Sequence, residues 1–241
     1  MSASPAASEI VFLPGFDGVA ELRAEFVAAL GEHYPARAIG YPNRRLDTLN
    51  GYARFASSQV GAESRPLIVA ESFSGLVAAR WASRDVHVAG VVLCGAFARS
   101  PRPGVSLAAS VPSLAQFFIL NPAGFVSRDA ARRRWSEALD RAIRALDRDV
   151  IAECLRLIAI EDVSAELRAL RIPIVLMQFE GDLVIGRQAR DELEATCGNA
   201  RIVRYQGPHF AIETRPREIA AALREPLAAF FPPRAARASR P

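Results

Sequence analysis

The chain has 241 residues, 51% of them hydrophobic, which suffices for one large α/β domain or two small ones. Its formal charge of +4 arises from 30 basic residues, all arginine, mixed with 26 acids. That mixture reads as solvated helix faces rather than a nucleic-acid-binding stripe, although it leaves room for an acidic partner.

Phe117–Leu120 is the most apolar run in the middle of the chain and is far too short to span a bilayer. The opening M-S-A-S-P-A-A-S lacks the basic start and apolar stretch of a secretory signal. Cys94, Cys154 and Cys197 are scattered without C-x-x-C spacing, so neither a disulfide framework nor a zinc site is expected. A soluble cytoplasmic protein in a reducing compartment is the expectation.

Ile10–Leu13 has the composition of a buried strand and stops at P-G-F-D-G, Pro14–Gly18. Leu22, Phe26, Ala29 and Leu30 fall at helical spacing and predict a helix over 21–30. The glycine loop between them reads either as a tight βα turn or as an oxyanion loop, with the Phe16 N–H as a donor. Neither phosphate-cradling glycine spacing is present. Arg37–Gly40 reads as a second strand, and Leu49, Tyr52, Phe55, Ala56 and Gln59 mark the next helix.

Pro66–Gly75, P-L-I-V-A-E-S-F-S-G, organises the rest. Its apolar half is a strand buried on both faces, and Leu76–Trp81 reads as a helix. A strand that turns sharply into a helix needs small residues two positions either side of its centre. Ala70 and Ser74 meet that condition around Ser72, whereas centring the turn on Ser74 would place Leu76 at a small position. Ser72 is therefore the candidate nucleophile, with the Phe73 N–H as the other oxyanion donor. An S-x-S-G after an apolar run also suits an ordinary helix N-cap serine. Glu71 reads as a buried hydrogen-bonding group under the turn or as a tuner of an imidazole.

Val88–Leu93 is a fourth strand ending at Cys94-Gly95. Strands separated by helix-length segments imply right-handed βαβ crossovers and a parallel sheet covered on both faces. The alternation then breaks from Arg99 to about Asp162. Pro101, Pro103, Pro112 and Pro122 punctuate an apolar stretch that includes Phe117, Phe118 and Leu120. An amphipathic helix follows, with Trp135, Leu139, Ala142, Ile143 and Leu146 on one face. Val150, Ile151, Cys154, Leu155 and Ile158 continue as another. This excursion either covers the sheet edge or caps the strand ends, with Phe117, Phe118 and Leu120 lining an acyl pocket. Strands resume at Ile172–Phe179 and Arg201–Tyr205, flanking a helix over 187–197, and a last helix runs over 216–231.

Three strand-end loops now offer Ser72, Asp182 and His209, in that order. Strand C-termini of a parallel sheet share one rim, so the three can converge. A hydroxyl needs imidazole to take its proton, and imidazole needs a carboxylate to fix its tautomer. Of three histidines, His33 ends the first helix and His87 precedes the fourth strand on the opposite rim. Glu180 and Asp162 compete with Asp182, which the sharp turn through Gly181 favours.

In the motifs A-E-S-F-S-G, F-E-G-D-L-V, G-P-H-F and P-G-F-D-G the sequence resembles the α/β-hydrolase superfamily, in particular bacterial esterase-like members with E-S-F-S-G and G-P-H-F. Pro14 departs from the histidine that many members carry before the loop glycine. The resemblance implies a three-layer α/β-hydrolase fold with a mostly parallel sheet of about six strands and a helical cap after the fourth. The expected division is hydrolase core at 9–98 and 166–231, cap at 99–165, and disordered tails at 1–8 and 232–241. It implies a serine hydrolase acting on carboxylic esters or thioesters of a small-molecule acyl substrate, with no cofactor and no metal. The alternatives are an acyl-carrier or coenzyme A thioesterase or acyltransferase, its arginine-rich cap docking an acidic carrier protein, and a non-catalytic binding protein of the same fold.

Overall fold

The computed structural model describes residues 6–101 and 130–231. Phe117, Phe118 and Leu120, the expected acyl-pocket residues, lie outside the described residues.

Six parallel strands form one sheet in the order β2-β1-β3-β4-β5-β6. They are β1 (Glu9–Leu13), β2 (Ala36–Ala38), β3 (Pro66–Glu71), β4 (Gly90–Cys94), β5 (Ile174–Phe179) and β6 (Arg201–Tyr205). Every residue of β3 is buried, because helices cover both faces of this central strand. Its side chains alternate between two cores. Ile68 and Ala70 join Val11, Leu13 and Leu176 on one face, while Leu67 and Val69 join Ile10, Phe12 and Met177 on the other. The pleat has period two, so one strand serves both layers.

On the first face lie α2 (Leu49–Ser58), α3 (Ser74–Ala82) and α7 (Gly186–Thr196). Thr48 starts α2 by accepting the Gly51 N–H at 3.0 Å, which satisfies one of the free donors of the first turn. On the second face lie α1 (Ala24–Gly31) and α9 (Pro216–Ala228). The segment expected as one helix over 21–30 is a 3₁₀ turn, Ala20–Arg23, followed by α1. The last helix stops at Ala228, short of Phe231, two residues after Pro226. Before β1 the chain is already fixed, since Ala7 is buried and donates its N–H to Phe230 O at 2.7 Å.

Between β4 and β5 the described residues form α4 (Ala130–Ala145), α5 (Arg148–Ile160) and a short α6 (Ser164–Ala169) that periodicity did not single out. Leu139 and Ile143 of α4 are buried, as the amphipathic pattern requires. Glu153 of α5 is buried as well. It accepts from Leu46 N–H, Asp47 N–H, Arg45 Nε and Tyr52 Oη at 2.9–3.2 Å, tying α5 to the loop before α2. Among the described residues no helix is long and apolar enough to cross a membrane, and all three cysteines are free and buried.

Candidate active site

β3 ends at Glu71 and α3 begins at Ser74, which leaves two residues to turn the chain. Ser72 takes φ = 51°. A non-glycine residue in that region costs about 1–3 kcal/mol and persists only where its surroundings enforce it. The enforcement is visible. Ser72 N–H donates to Cys94 O at 3.0 Å, and Gly75 N–H donates to Ser72 O at 2.9 Å. The Phe73 ring is buried edge-on against Tyr41 and Tyr52. Ser74 Oγ donates to Pro14 O, and Tyr41 Oη donates to Ser74 Oγ at 2.6 Å. The elbow is thereby stitched to the Pro14–Gly18 loop, and Ser74 is a structural hydroxyl.

His209 reaches this turn from the loop after β6. Its Nε2 lies 3.1 Å from Ser72 Oγ, and its Nδ1 lies 2.7 Å from Asp182 Oδ2. Asp182 follows β5. Its Oδ1 accepts the Val184 and Ile185 N–H groups at 2.8 and 2.9 Å, so neither carboxylate oxygen is left unpaired. Gly181 N–H donates to Gly207 O at 3.0 Å, clasping the β5 and β6 loops together. Gly95, at φ = 52°, lets His209 approach: a Cβ there would sit 3.3 Å from His209 Nδ1 and 3.1 Å from the Phe179 ring. The sequence signal for it was the Cys94-Gly95 strand end.

The electrostatics favour an acceptor–donor chain from Asp182 to Ser72. Burial raises the Asp182 carboxyl, but the charge and hydrogen bond of His209 and the two backbone N–H groups outweigh it and hold the carboxyl below its ordinary value. Burial likewise lowers the His209 imidazole. Asp182 and, more weakly, Glu71 reverse this and bring it above its ordinary value. An ionised Asp182 paired with Nδ1–H leaves Nε2 as the acceptor for the Ser72 hydroxyl.

The competing groups lie elsewhere. Glu180 pairs with Gln206 on the surface, and Asp162 accepts the Ser164 N–H at 2.8 Å at the start of α6. His33 follows α1 with its ring edge-on to Tyr34, and the His87 N–H donates to Asp85 at 2.9 Å in the turn before β4. Among the described residues neither the Phe16 nor the Phe73 N–H donates a hydrogen bond, and no three His, Cys, Asp or Glu side chains are grouped to hold a metal ion.

Two neighbours of the site have partners that the sequence left unassigned. Trp135 of α4 lies against Phe210, the residue after His209, with ring centroids 4.2 Å apart. Glu71, left open between two roles, is buried in an ion-pair cluster with Arg23. A cleft of about 670 Å³ opens beside Pro14–Gly18 and is lined by Asp17, Tyr41, Phe55 and Leu146, but by none of Ser72, Asp182 and His209.

Comparison with known proteins gives a match to the sequence profile of the Alpha/beta hydrolase family over residues 10–222. No curated protein matches the chain. Among solved structures it is similar to the enol-lactonase from Burkholderia xenovorans LB400, with TM-score 0.76, 17% identity, and 92% of each chain covered. It is similar also to an esterase from Rhodococcus sp. ECU1013, with TM-score 0.72, 18% identity, and 93% of this chain and 91% of that one covered. A bromoperoxidase from Bacillus anthracis aligns with TM-score 0.74 and 16% identity over 91% of each chain. At such identities the likeness is one of fold.

Proposed function

Because the chain belongs to the Alpha/beta hydrolase family and is a hydrolase, we propose that it cleaves carboxylic esters or thioesters of a hydrophobic acyl group through an acyl-enzyme on Ser72. The observation that carries this reading is the continuous hydrogen-bonded line from Asp182 through His209 to a strained Ser72.

In this mechanism Ser72 Oγ attacks the acyl carbonyl carbon as its proton passes to His209 Nε2. The carbonyl oxygen becomes an oxyanion held by the Phe16 and Phe73 N–H groups, which donate to none of the described residues. Collapse breaks the bond to the alcohol or thiol, which takes the proton from His209. Water then enters with His209 again as base, and the acid leaves Ser72 free. Asp182 stays ionised throughout and stabilises the imidazolium.

In this reading α4 and α5, the described helices of 99–165, act as a cap beside the site, on a core of 9–98 and 166–231; the contact of Trp135 with Phe210 supports it. An acidic carrier protein is not part of the reading. Arg144, one of the arginines that suggested one, is held by Asp140 of the same helix at 2.8 Å.

The test is a pH–rate profile on p-nitrophenyl acetate and on longer acyl esters and thioesters. His209 must be neutral to accept the Ser72 proton, and Asp182 holds its pKa above the ordinary imidazole value. kcat/KM should therefore hold at alkaline pH and fall about tenfold per unit as pH drops through that raised value. Absence of turnover on every ester and thioester at alkaline pH, by folded protein, would overturn the assignment.

A further inference from the structure

Arg23 ends the 3₁₀ turn before α1, where an arginine normally reaches solvent, yet it is 2% exposed. Its guanidinium meets carboxylates from three separate segments: Asp17 in the loop after β1, Glu71 at the end of β3 and Glu213 beyond His209. Nη1 and Nη2 grip Asp17 Oδ1 and Oδ2 at 2.7 and 2.9 Å, while Nε and Nη2 grip Glu71 Oε2 and Oε1 at 2.7 and 2.8 Å. Val19 O takes the remaining N–H at 3.4 Å. A guanidinium has five N–H donors, so all are committed.

The third carboxylate, Glu213 of α8 (Ala211–Thr214), arrives too late for a donor. Its Oε1 is 2.9 Å from Arg23 Nη2, but among the described residues neither oxygen receives a hydrogen bond, and the side chain is fully buried. An ionised carboxylate is not tenable there. A neutral carboxylic acid is, because its O–H can donate to Glu71. Burial and the Glu71 charge accordingly push Glu213 far above the ordinary carboxylate range, while burial of Glu71 is outweighed by Arg23, which holds it low. Among the described residues, charge reaches Glu213 directly from Glu71 and Arg23, and through them from Asp17 and His209.

What the cluster joins gives it a role. Asp17 follows Phe16, the oxyanion-loop residue; Glu71 precedes Ser72; Glu213 lies four residues after His209. Gly15 closes the packing, since a Cβ there would meet Glu71 Oε1 at 3.3 Å and both Arg23 Nη2 and Asp17 Oδ2 at 3.4 Å. Resting on the proposed hydrolase mechanism, we propose that Arg23 is a positioning residue that clamps the oxyanion loop, through Asp17, to the nucleophile elbow, through Glu71, with Glu213 as a neutral acid completing the clamp. Lysine keeps the charge but presents a point donor and cannot make two bidentate grips.

The experiment compares full-length wild type, Arg23→Lys and Glu213→Gln. Folded Arg23→Lys should lose up to about 10²-fold in kcat with KM little changed, because displacement of a donor by about 1 Å acts on the transition state. Its amides over 15–19 should also exchange hydrogen faster. Wild-type kcat together with wild-type exchange would overturn the clamp. Should Arg23→Lys not fold, Asp17→Asn carries the same comparison, since it weakens only the loop end of the grip.

Glu213→Gln tests the proton. Unfolded Glu213 ionises in the ordinary carboxylate range, whereas folded Glu213 stays neutral. Wild type therefore loses stability as pH climbs from that range towards the raised folded value, and the glutamine variant does not. The difference in Tm, variant minus wild type, should grow more positive between about pH 5 and 9. A difference independent of pH would contradict the neutral acid. If the wild type hydrolyses nothing, that failure belongs to the proposed reaction, and the exchange and Tm measurements still decide the clamp.

Discussion

His209→Gln is expected to lower kcat for ester hydrolysis by about 10⁶-fold, because loss of the base in such a unit costs nearly as much as loss of the whole unit. His209 Nε2 lies 3.1 Å from Ser72 Oγ, and among the described residues that hydroxyl has no other hydrogen-bonded base. Without the imidazole the Ser72 proton has no acceptor in the attack, and the leaving group has no donor in the collapse. KM should change little, since acyl binding does not need the imidazole. Single-turnover kinetics with stopped flow would separate the two constants. A variant that keeps kcat within about tenfold of wild type would remove His209 from the role of general base.

Asp182→Asn should cost about 10⁴-fold in kcat. The amide preserves the shape of the loop, and its oxygen can still accept the Val184 and Ile185 N–H groups that Asp182 Oδ1 now accepts. It then presents its NH₂ to His209 Nδ1. The imidazole must respond by placing its own proton on Nε2, where it faces Ser72 and cannot accept. The acid limb of the pH–rate profile should move down as well, because Asp182 supplies the main upward pull on His209. An unchanged limb would show that Asp182 does not set the charge state of His209.

How much of this was legible in the sequence divides along one physical line. Buried parallel strands announce themselves by short apolar runs, and βαβ geometry then sends their C-terminal loops to one rim. That is why Ser72, Asp182 and His209, 110 and 27 residues apart, could be paired without coordinates. The strand limits were less legible. Val88 and Ala89 continue the apolar run of the fourth strand but lie before its ladder starts at Gly90.

The Arg23 cluster follows a different logic and left no such trace. Arg23 sits in a pattern that also suits a solvated helix face, and its partners at 17, 71 and 213 share no period. Glu153 is similar: one acid in an amphipathic stretch, buried because the Leu46 and Asp47 N–H groups need an acceptor. Patterns of hydrophobicity locate elements; the polar groups that lock loops together depend on the fold already formed. The short α8 carrying Glu213 belongs to that second category, since four residues are too few for a periodic signal.

The central claim is that Ser72 is an activated nucleophile, and intact mass after treatment with a small fluorophosphonate addresses it most directly. Wild type should gain one phosphonyl adduct, and Ser72→Ala, a single-atom deletion at a residue whose backbone is held by Cys94 and Gly75, should gain none. An adduct of equal extent in the alanine variant, or no adduct on folded wild type, would contradict the account.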